Sequence, residues 1–318
     1  MRRSDEPSPK HFSKVAKAIL RGHVVPVLGA GANLCDRARD ECFRPGSNLP
    51  NGGELSQYLA GKFDCEVQDA RDLLRVSQAA VLDLGDGPVF EELRRVFVHP
   101  FRPTSLHTFL ARIPALMAER GLPVCPQLIL STNYDDLLER TFEAAGQPYD
   151  LVYYLGQGDR EHHHQGKFVH VTTNGERRII DVANEYVDVA PATRTVILKV
   201  HGAARADEHE DSWVITEDHY IDYLTRTNLS ELVPVKLLER LLNTHFLFLG
   251  YAMRDWNLRV ILHRIWTQRD HSWHSWAVQL NPDPIDEAFW DEKGVDIQPV
   301  PLSSYIGELQ SCLETVTA

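Results

Sequence analysis

The sequence predicts an α/β protein built on an open parallel sheet, with an all-helical insertion and a small β-hairpin subdomain. Two observations carry that expectation. Four short apolar runs each end in small or polar residues: Val24-Val25-Pro26-Val27-Leu28 before Gly29-Ala30-Gly31-Ala32-Asn33, Gln127-Leu128-Ile129-Leu130 before Ser131-Thr132-Asn133-Tyr134-Asp135, Val196-Ile197-Leu198-Lys199-Val200 before His201-Gly202, and Phe246-Leu247-Phe248-Leu249 before Gly250-Tyr251. Strands that are apolar on both faces are covered by helices on both sides, and sheets of that kind bind ligands in the crevice outside their carboxyl ends. Helical periodicity between the runs supplies the covering layers. Together they describe a Rossmann-like parallel sheet whose chemistry lies along one edge.

Each element has its own signal. Residues 8–21 read as an amphipathic helix through Phe12, Val15, Ala18, Ile19 and Leu20, stopped by Gly22. After the first strand, the Gly/Pro/Asn-rich residues 44–53 form an exposed excursion over the site. Residues 54–117 turn helical: Leu55, Tyr58, Leu59 and Phe63 share one face, Leu73, Leu74, Val81 and Leu84 another, and Phe90, Leu93 and Phe97 a third, with Pro88, Pro100 and Pro103 as punctuation. This is the helical insertion. A strand at 127–131 and a helix over 135–145, stopped by Gly146, follow.

Residues 151–195 form the small β subdomain, because Phe168-Val169-His170-Val171 and Arg178-Ile179-Ile180 flank Asn174-Gly175, a strong hairpin turn. It is expected outside the main sheet. Strand, helix and strand resume through 196–200, 232–242 and 245–249. A helix from Trp256 to Trp266, a strand at 276–280, a short strand near Ile297 and a helix through Ile306, Leu309 and Leu313 close the chain.

Bulk properties exclude several classes. The net charge is −12, without the basic stripe that direct nucleic-acid binding needs. The longest apolar run is far short of the roughly 20 residues of a membrane span. The N-terminus has no apolar stretch after Arg2-Arg3, so a cytoplasmic location is expected. Cys35, Cys42, Cys65, Cys125 and Cys312 contain no Cys-x-x-Cys pair and no tetrahedral spacing, so no metal is expected. His162-His163-His164 cannot converge on one ion and reads as a solvated loop, as does the charge run Asp207, Glu208, Glu210, Asp211.

The strand ends hold the candidate chemistry. Glycines at 29 and 31 let backbone amides approach a pyrophosphate, with a following helix N-terminus adding its dipole; equally they make a bare tight turn. Asn133 and Asp135 offer the donors and acceptors that ribose hydroxyls and a carboxamide need, or else Thr132 or Asn133 caps the next helix. His201 can serve as a general base near neutral pH, and a structural histidine is the alternative. Asp255 and Asn257, beyond Gly250-Tyr251, either cap a helix or meet a ribose.

Read in order, GAGAN, STNYD, KVHG and LFLGYAMRDWNL resemble the signature segments of the sirtuin superfamily, nearest its divergent prokaryotic branch in anti-phage defence systems. Trp213-Val214-Ile215-Thr216-Glu217 with Tyr220 is similar to another segment of that branch. The departures are Asn33 for serine, Ser131 for threonine and Ala252 for serine. The resemblance spans roughly residues 24–280 and implies one sirtuin-like domain over 1–318.

It implies that Gly29, Ala30, Gly31 and Asn33 hold the NAD diphosphate, with Thr132 beside them. Asn133 orients ribose and an attacking water, Asp135 faces the nicotinamide carboxamide, His201 is the base on the ribose hydroxyls, and Gly250, Tyr251 and Asp255 border the adenosine half. Deacylases of the family carry a four-cysteine zinc module where residues 151–195 hold no cysteine. That favours water over an acyl-lysine as second substrate. The implied activity is NAD hydrolysis to nicotinamide and ADP-ribose by a toxic effector of a defence system, assembled as a homo-oligomer and silent until triggered, with a sensor or ATPase as partner. A non-catalytic module sensing NAD or ADP-ribose, and a zinc-free deacylase or ADP-ribosyltransferase, are the alternatives.

Overall fold

The computed structural model describes residues 7–157, 164–205, 211–225, 233–252, 256–267 and 273–316. Its centre is a nine-stranded sheet. The strands are β1 (Val24–Leu28), β2 (Leu128–Ser131), β3 (Tyr149–Tyr154), β4 (Phe168–Val171), β5 (Arg177–Ile180), β6 (Thr195–Lys199), β9 (His245–Leu249), β10 (Ser275–Val278) and β11 (Val295–Gln298), while β7 (Gly202–Ala203) and β8 (Ser212–Trp213) form a separate two-residue pairing. The spatial order is β11-β10-β9-β1-β2-β6-β3-β4-β5, with the β3–β4 and β4–β5 pairings antiparallel and all the others parallel, so that β4 alone of these strands runs in reverse. From β1 the chain passes to β2 and then to β3, β4 and β5 on one side, returns to place β6 between β2 and β3, and later builds β9, β10 and β11 on the other side. The strand order therefore reverses beside β1, which is where an open α/β sheet places its ligand crevice.

Alternation within the strands fills two separate cores. Leu28, Ile129, Ile197, Leu247 and Leu249 pack on one face, under the helices α1 (Pro9–Leu20), α5 (Ser105–Glu119) and Leu302–Thr315. Val25, Val27, Leu128, Leu130, Val196, Leu198, Phe246 and Phe248 pack on the other, under the helices Val235–Leu242 and Trp256–Trp266. Each fully buried aliphatic or aromatic side chain contributes about 1.5–3 kcal/mol, so the parallel centre is held from both sides.

The helical insertion comprises α2 (Gly52–Lys62), α3 (Leu73–Leu84), α4 (Asp86–Phe97) and the following α5. It owns a third core, in which Leu55, Leu59, Val76, Leu93 and Phe97 pack with Tyr134, Leu137, Trp213 and Ile215. The insertion is thus fastened to the loop after β2 and to β8.

The hairpin does not stand outside the sheet. Asn174-Gly175 makes the expected turn, with Gly175 at φ 81°, but β4 and β5 extend the main sheet through β3. That strand pairs in parallel with β6, Tyr149 opposite Thr195 through Tyr153 opposite Lys199. The sequence lacks a local mark for this because long-range pairing is not written into either partner alone. The helix expected over 135–145 runs from Leu137 to Ala144, and Pro284–Glu292 adds a helix that the sequence reading omits.

Candidate functional site

The carboxyl ends of β1, β2, β6 and β9 meet at a cavity of about 160 Å³ lined by Gly29, Ala30, Asn33, Thr132, Asn133, Tyr134, Asp135, His201 and Tyr251. Pro50, Asn51, Gly52, Leu55, Leu73, Phe97, Tyr220 and Ala252 complete its walls. A second cavity, about 650 Å³, adjoins it over β9, β10 and the helix Leu302–Thr315, and shares Ala30, Asn51, Gly52, Tyr251 and Ala252 with the first. Gly31 and Gly250 line this second cavity. Asp255 lies outside the described residues, as do His162, His163, Asp207, Glu208 and Glu210.

The two glycine loops pack backbone to backbone. A Cβ on Gly29 would lie 2.7 Å from Tyr251 Cα, one on Gly31 2.7 Å from Gly250 O, and one on Gly250 2.1 Å from Ala32 N. Gly31 N donates to Gly250 O at 2.8 Å. Much of the room these glycines create is filled by the neighbouring loop, so they join β1 to β9 at the crevice. The segment after Gly29 is a five-residue 3-10 turn, Ala30–Leu34, rather than a long helix.

Asn33 is the polar tip of that turn. Its Nδ2 donates to Asp135 Oδ2 at 2.7 Å, joining the loops after β1 and β2 across the cavity. Its Oδ1 is buried with no hydrogen-bond partner among the described residues. A buried acceptor without a donor costs about 1–3 kcal/mol, which a ligand donor relieves. The other carboxylate oxygen, Asp135 Oδ1, accepts from Leu137 N at 3.2 Å. The N-cap of the following helix is Asp136, without a side-chain cap hydrogen bond, so neither Thr132 nor Asn133 caps it; the Thr132 hydroxyl donates to Leu28 O at 3.2 Å and ties β2 to β1. Asn133 is buried, with its backbone N donating to Ser131 Oγ at 3.1 Å.

His201 follows β6 and is 3% exposed. Its Nδ1 lies 3.4 Å from the Tyr220 hydroxyl, and the two rings stand nearly perpendicular, 5.3 Å apart. Its carbonyl accepts from Val214 N at 2.9 Å, while Gly202, at φ 95°, permits a backbone approach to Ser212 that any Cβ would block at 2.0 Å. The short β7–β8 pairing thereby fixes the histidine.

Several participants escape a sequence reading. Leu55, Leu73 and Phe97 reach the cavity from the helical insertion. Their helical spacing marks them as core and gives no hint of a ligand. Asn51 caps α2 in a capping box with Glu54, and Glu54 also holds Arg37 at 2.6 Å, so the excursion after β1 ends as a fixed wall. Thr104 donates to Ala32 O at 3.1 Å and touches His107 Nδ1 at 2.8 Å. Burial pushes His107 below the ordinary imidazole range, against the pull of Asp135 and Asp36. Lys199, 1% exposed, is the one of these with a visible signal, a lone cation in an apolar strand.

Among the described residues no three His, Cys, Asp or Glu side chains converge as metal ligands, and no helix is long and apolar enough to cross a membrane. All five cysteines are free thiols. The family model of the SIR2-like domain matches residues 127–298, from β2 to β11. Defense-associated sirtuin 2 of Bacillus subtilis is 26% identical over 185 residues, which is 56% of this chain and 15% of that protein. The aligned region thus spans a small part of the relative's length.

Proposed function

This chain belongs to the SIR2-like domain family, and from that premise we propose that it is an NAD glycohydrolase, cleaving the bond between nicotinamide and ribose to yield nicotinamide and ADP-ribose. The observation that carries the reading is the convergence of Asn33, Asn133, Asp135 and His201 on one small cavity, with the buried Asn33 Oδ1 lacking a donor. The 160 Å³ cavity takes the nicotinamide riboside end, and the adjoining 650 Å³ cavity takes the ADP end.

In this reading the glycosidic C–N bond breaks, its electron pair leaves with nicotinamide, and water supplies the new hydroxyl on ribose while releasing a proton. His201 accepts that single proton through a ribose hydroxyl, which gives its own proton to the imidazole and regains one from the attacking water, with Tyr220 holding the ring. Asn133 orients ribose and the water, and Asp135, aimed by Asn33, meets the carboxamide. Gly29, Ala30, Gly31 and Thr132 border the diphosphate, and Gly250 with Tyr251 the adenosine half; Asn33, which the resemblance also assigns to the diphosphate, spends its amide on Asp135 and offers an acceptor oxygen that suits a donor rather than a phosphate. Asp255 completes that half in the sequence-based assignment. The absence of cysteine in 151–195 favours water over an acyl-lysine.

The likeness to a protein named for defence supports the wider proposal: a toxic NAD-depleting effector of an anti-phage system, acting in the cytoplasm, assembled with itself and restrained by a sensor or ATPase partner. The test follows NAD by chromatography with wild type and Asn133→Ala over a range of protein concentrations. Nicotinamide and ADP-ribose from wild type alone support the hydrolase. NAD that is bound but intact in both points to a sensing module, and nicotinamide release only with an acylated peptide points to a deacylase.

A further inference from the structure

A buried cation stands behind the site, unused by the scheme above. Lys199 ends β6 at 1% exposure, and an ammonium at that depth persists only where its protons meet acceptors. It has three. The Asp135 carbonyl accepts at 2.6 Å, the Tyr134 carbonyl at 3.4 Å, and the Glu139 carboxylate makes the third contact.

Two of these acceptors are main-chain atoms of the loop that presents Asn133 and Asp135. The third lies in the helix Leu137–Ala144 that continues the same loop. The three protons of the ammonium are thus shared between one carboxylate and two carbonyls of the loop that carries the site residues. Tyr134 O also accepts from Ala204 N at 2.8 Å, just beyond His201, so the loop is held to the β6 end from both sides. Glu139 is itself buried: burial raises its carboxyl above the ordinary range, and Lys199 opposes that rise. His201 follows Lys199 by two residues on the same chain segment.

We propose that Lys199 is a positioning residue, a clamp that fixes the Asn133–Asp135 loop against the strand end carrying His201, with Glu139 as its buried counter-charge. Its effect on turnover rests on the NAD-cleaving reading, whereas the ordering of the loop does not.

The test compares wild type, Glu139→Gln and the double variant Lys199→Met/Glu139→Met, which replaces both buried charges with apolar side chains of similar size. Three quantities are read: the melting temperature, kcat and KM for NAD, and amide hydrogen exchange over residues 132–138. The clamp predicts a folded double variant with kcat lower by about 100-fold and KM changed by less than about 3-fold. It also predicts exchange over 132–138 faster by about 10-fold or more. Glu139→Gln, whose amide oxygen still accepts from the ammonium, should lower the melting temperature through loss of the counter-charge while keeping the ammonium on both carbonyls, kcat within about 3-fold and wild-type exchange. A folded double variant with wild-type kcat and exchange overturns the proposal. If wild type cleaves no NAD, the exchange comparison decides by itself and the failure belongs to the functional reading. If the double variant does not fold, Glu139→Gln decides: loss of turnover or loop protection there assigns the role to the charge pair and overturns the clamp.

Discussion

Two buried carboxylates sit at opposite ends of the same sheet and are treated in opposite ways. Asp150, near the start of β3, is fully buried, and its oxygens are saturated. Thr173 N donates at 2.9 Å, Thr173 Oγ1 at 3.0 Å and Arg194 Nη1 at 3.0 Å, and His170 Nε2 lies 3.4 Å away, itself touching the Tyr186 hydroxyl at 2.7 Å through Nδ1. Asp135, at the carboxyl edge, has Asn33 and one backbone amide, and the Asn33 amide that aims it keeps a buried oxygen without a partner among the described residues. The first cluster surrounds its carboxylate with donors and staples the hairpin edge to the parallel sheet, with His170 Nε2, 3.4 Å from Asp150, as its one buried atom without a hydrogen bond among the described residues. The second leaves hydrogen-bonding capacity facing a cavity. Saturation marks architecture, and unmet capacity beside a cavity marks a place for a ligand.

That contrast can be broken most sharply at Asn133. Asn133→Ala is expected to lower NAD turnover by at least about 100-fold with an unchanged melting temperature, because in the proposed reaction it removes the group that orients ribose and water. Comparable loss of stability and activity would erase the distinction. Asp150→Ala should do the reverse. Leaving the Thr173 and Arg194 donors without their acceptor costs about 2–3 kcal/mol, read from urea unfolding, with kcat preserved within about 3-fold.

Gly250→Ala sharpens the comparison at the site's own scaffold. A Cβ there meets Ala32 N at 2.1 Å, at φ 65°, so the β1 and β9 loops must part. We expect a loss of about 1–3 kcal/mol together with a raised KM for NAD. The smallest effect concerns acid. Burial opposes ionisation of Asp150, but contacts from His170, Arg194 and Thr173 outweigh it and hold the carboxyl at about 2, below its ordinary 3.8. A depressed folded value stabilises above the unfolded value, and that contribution fades as pH falls from about 4 towards 2. Asp150→Asn should therefore show a shallower decline in urea midpoint between pH 5 and pH 3 than wild type.

The parallel centre was legible because both its faces are buried: runs such as Val24–Leu28 and His245–Leu249 read as strands from composition alone. Their ends were legible because glycine and polar residues interrupt apolar runs at the same edge. What escaped reading depends on distant partners. Tyr149–Tyr154 joins the sheet through β6, some forty residues on, and nothing in its own residues names that neighbour. Leu73 and Phe97 carry the periodicity of core residues, yet the insertion's placement turns them towards the cavity. The glycines after β1 pointed to a close approach, and the approach is made in large part by Gly250-Tyr251. Lys199 alone broke the pattern of its strand visibly, and its partners lie about 60 residues upstream.

The central claim is that the open cluster, and not the closed one, cleaves NAD. Proton NMR of NAD incubated with wild type, Asn133→Ala, His201→Ala and Asp150→Asn tests it in one series. Free nicotinamide resonances should grow with wild type and Asp150→Asn and stay absent with Asn133→Ala and His201→Ala. Equal growth in all four, or loss in Asp150→Asn alone, would contradict the account.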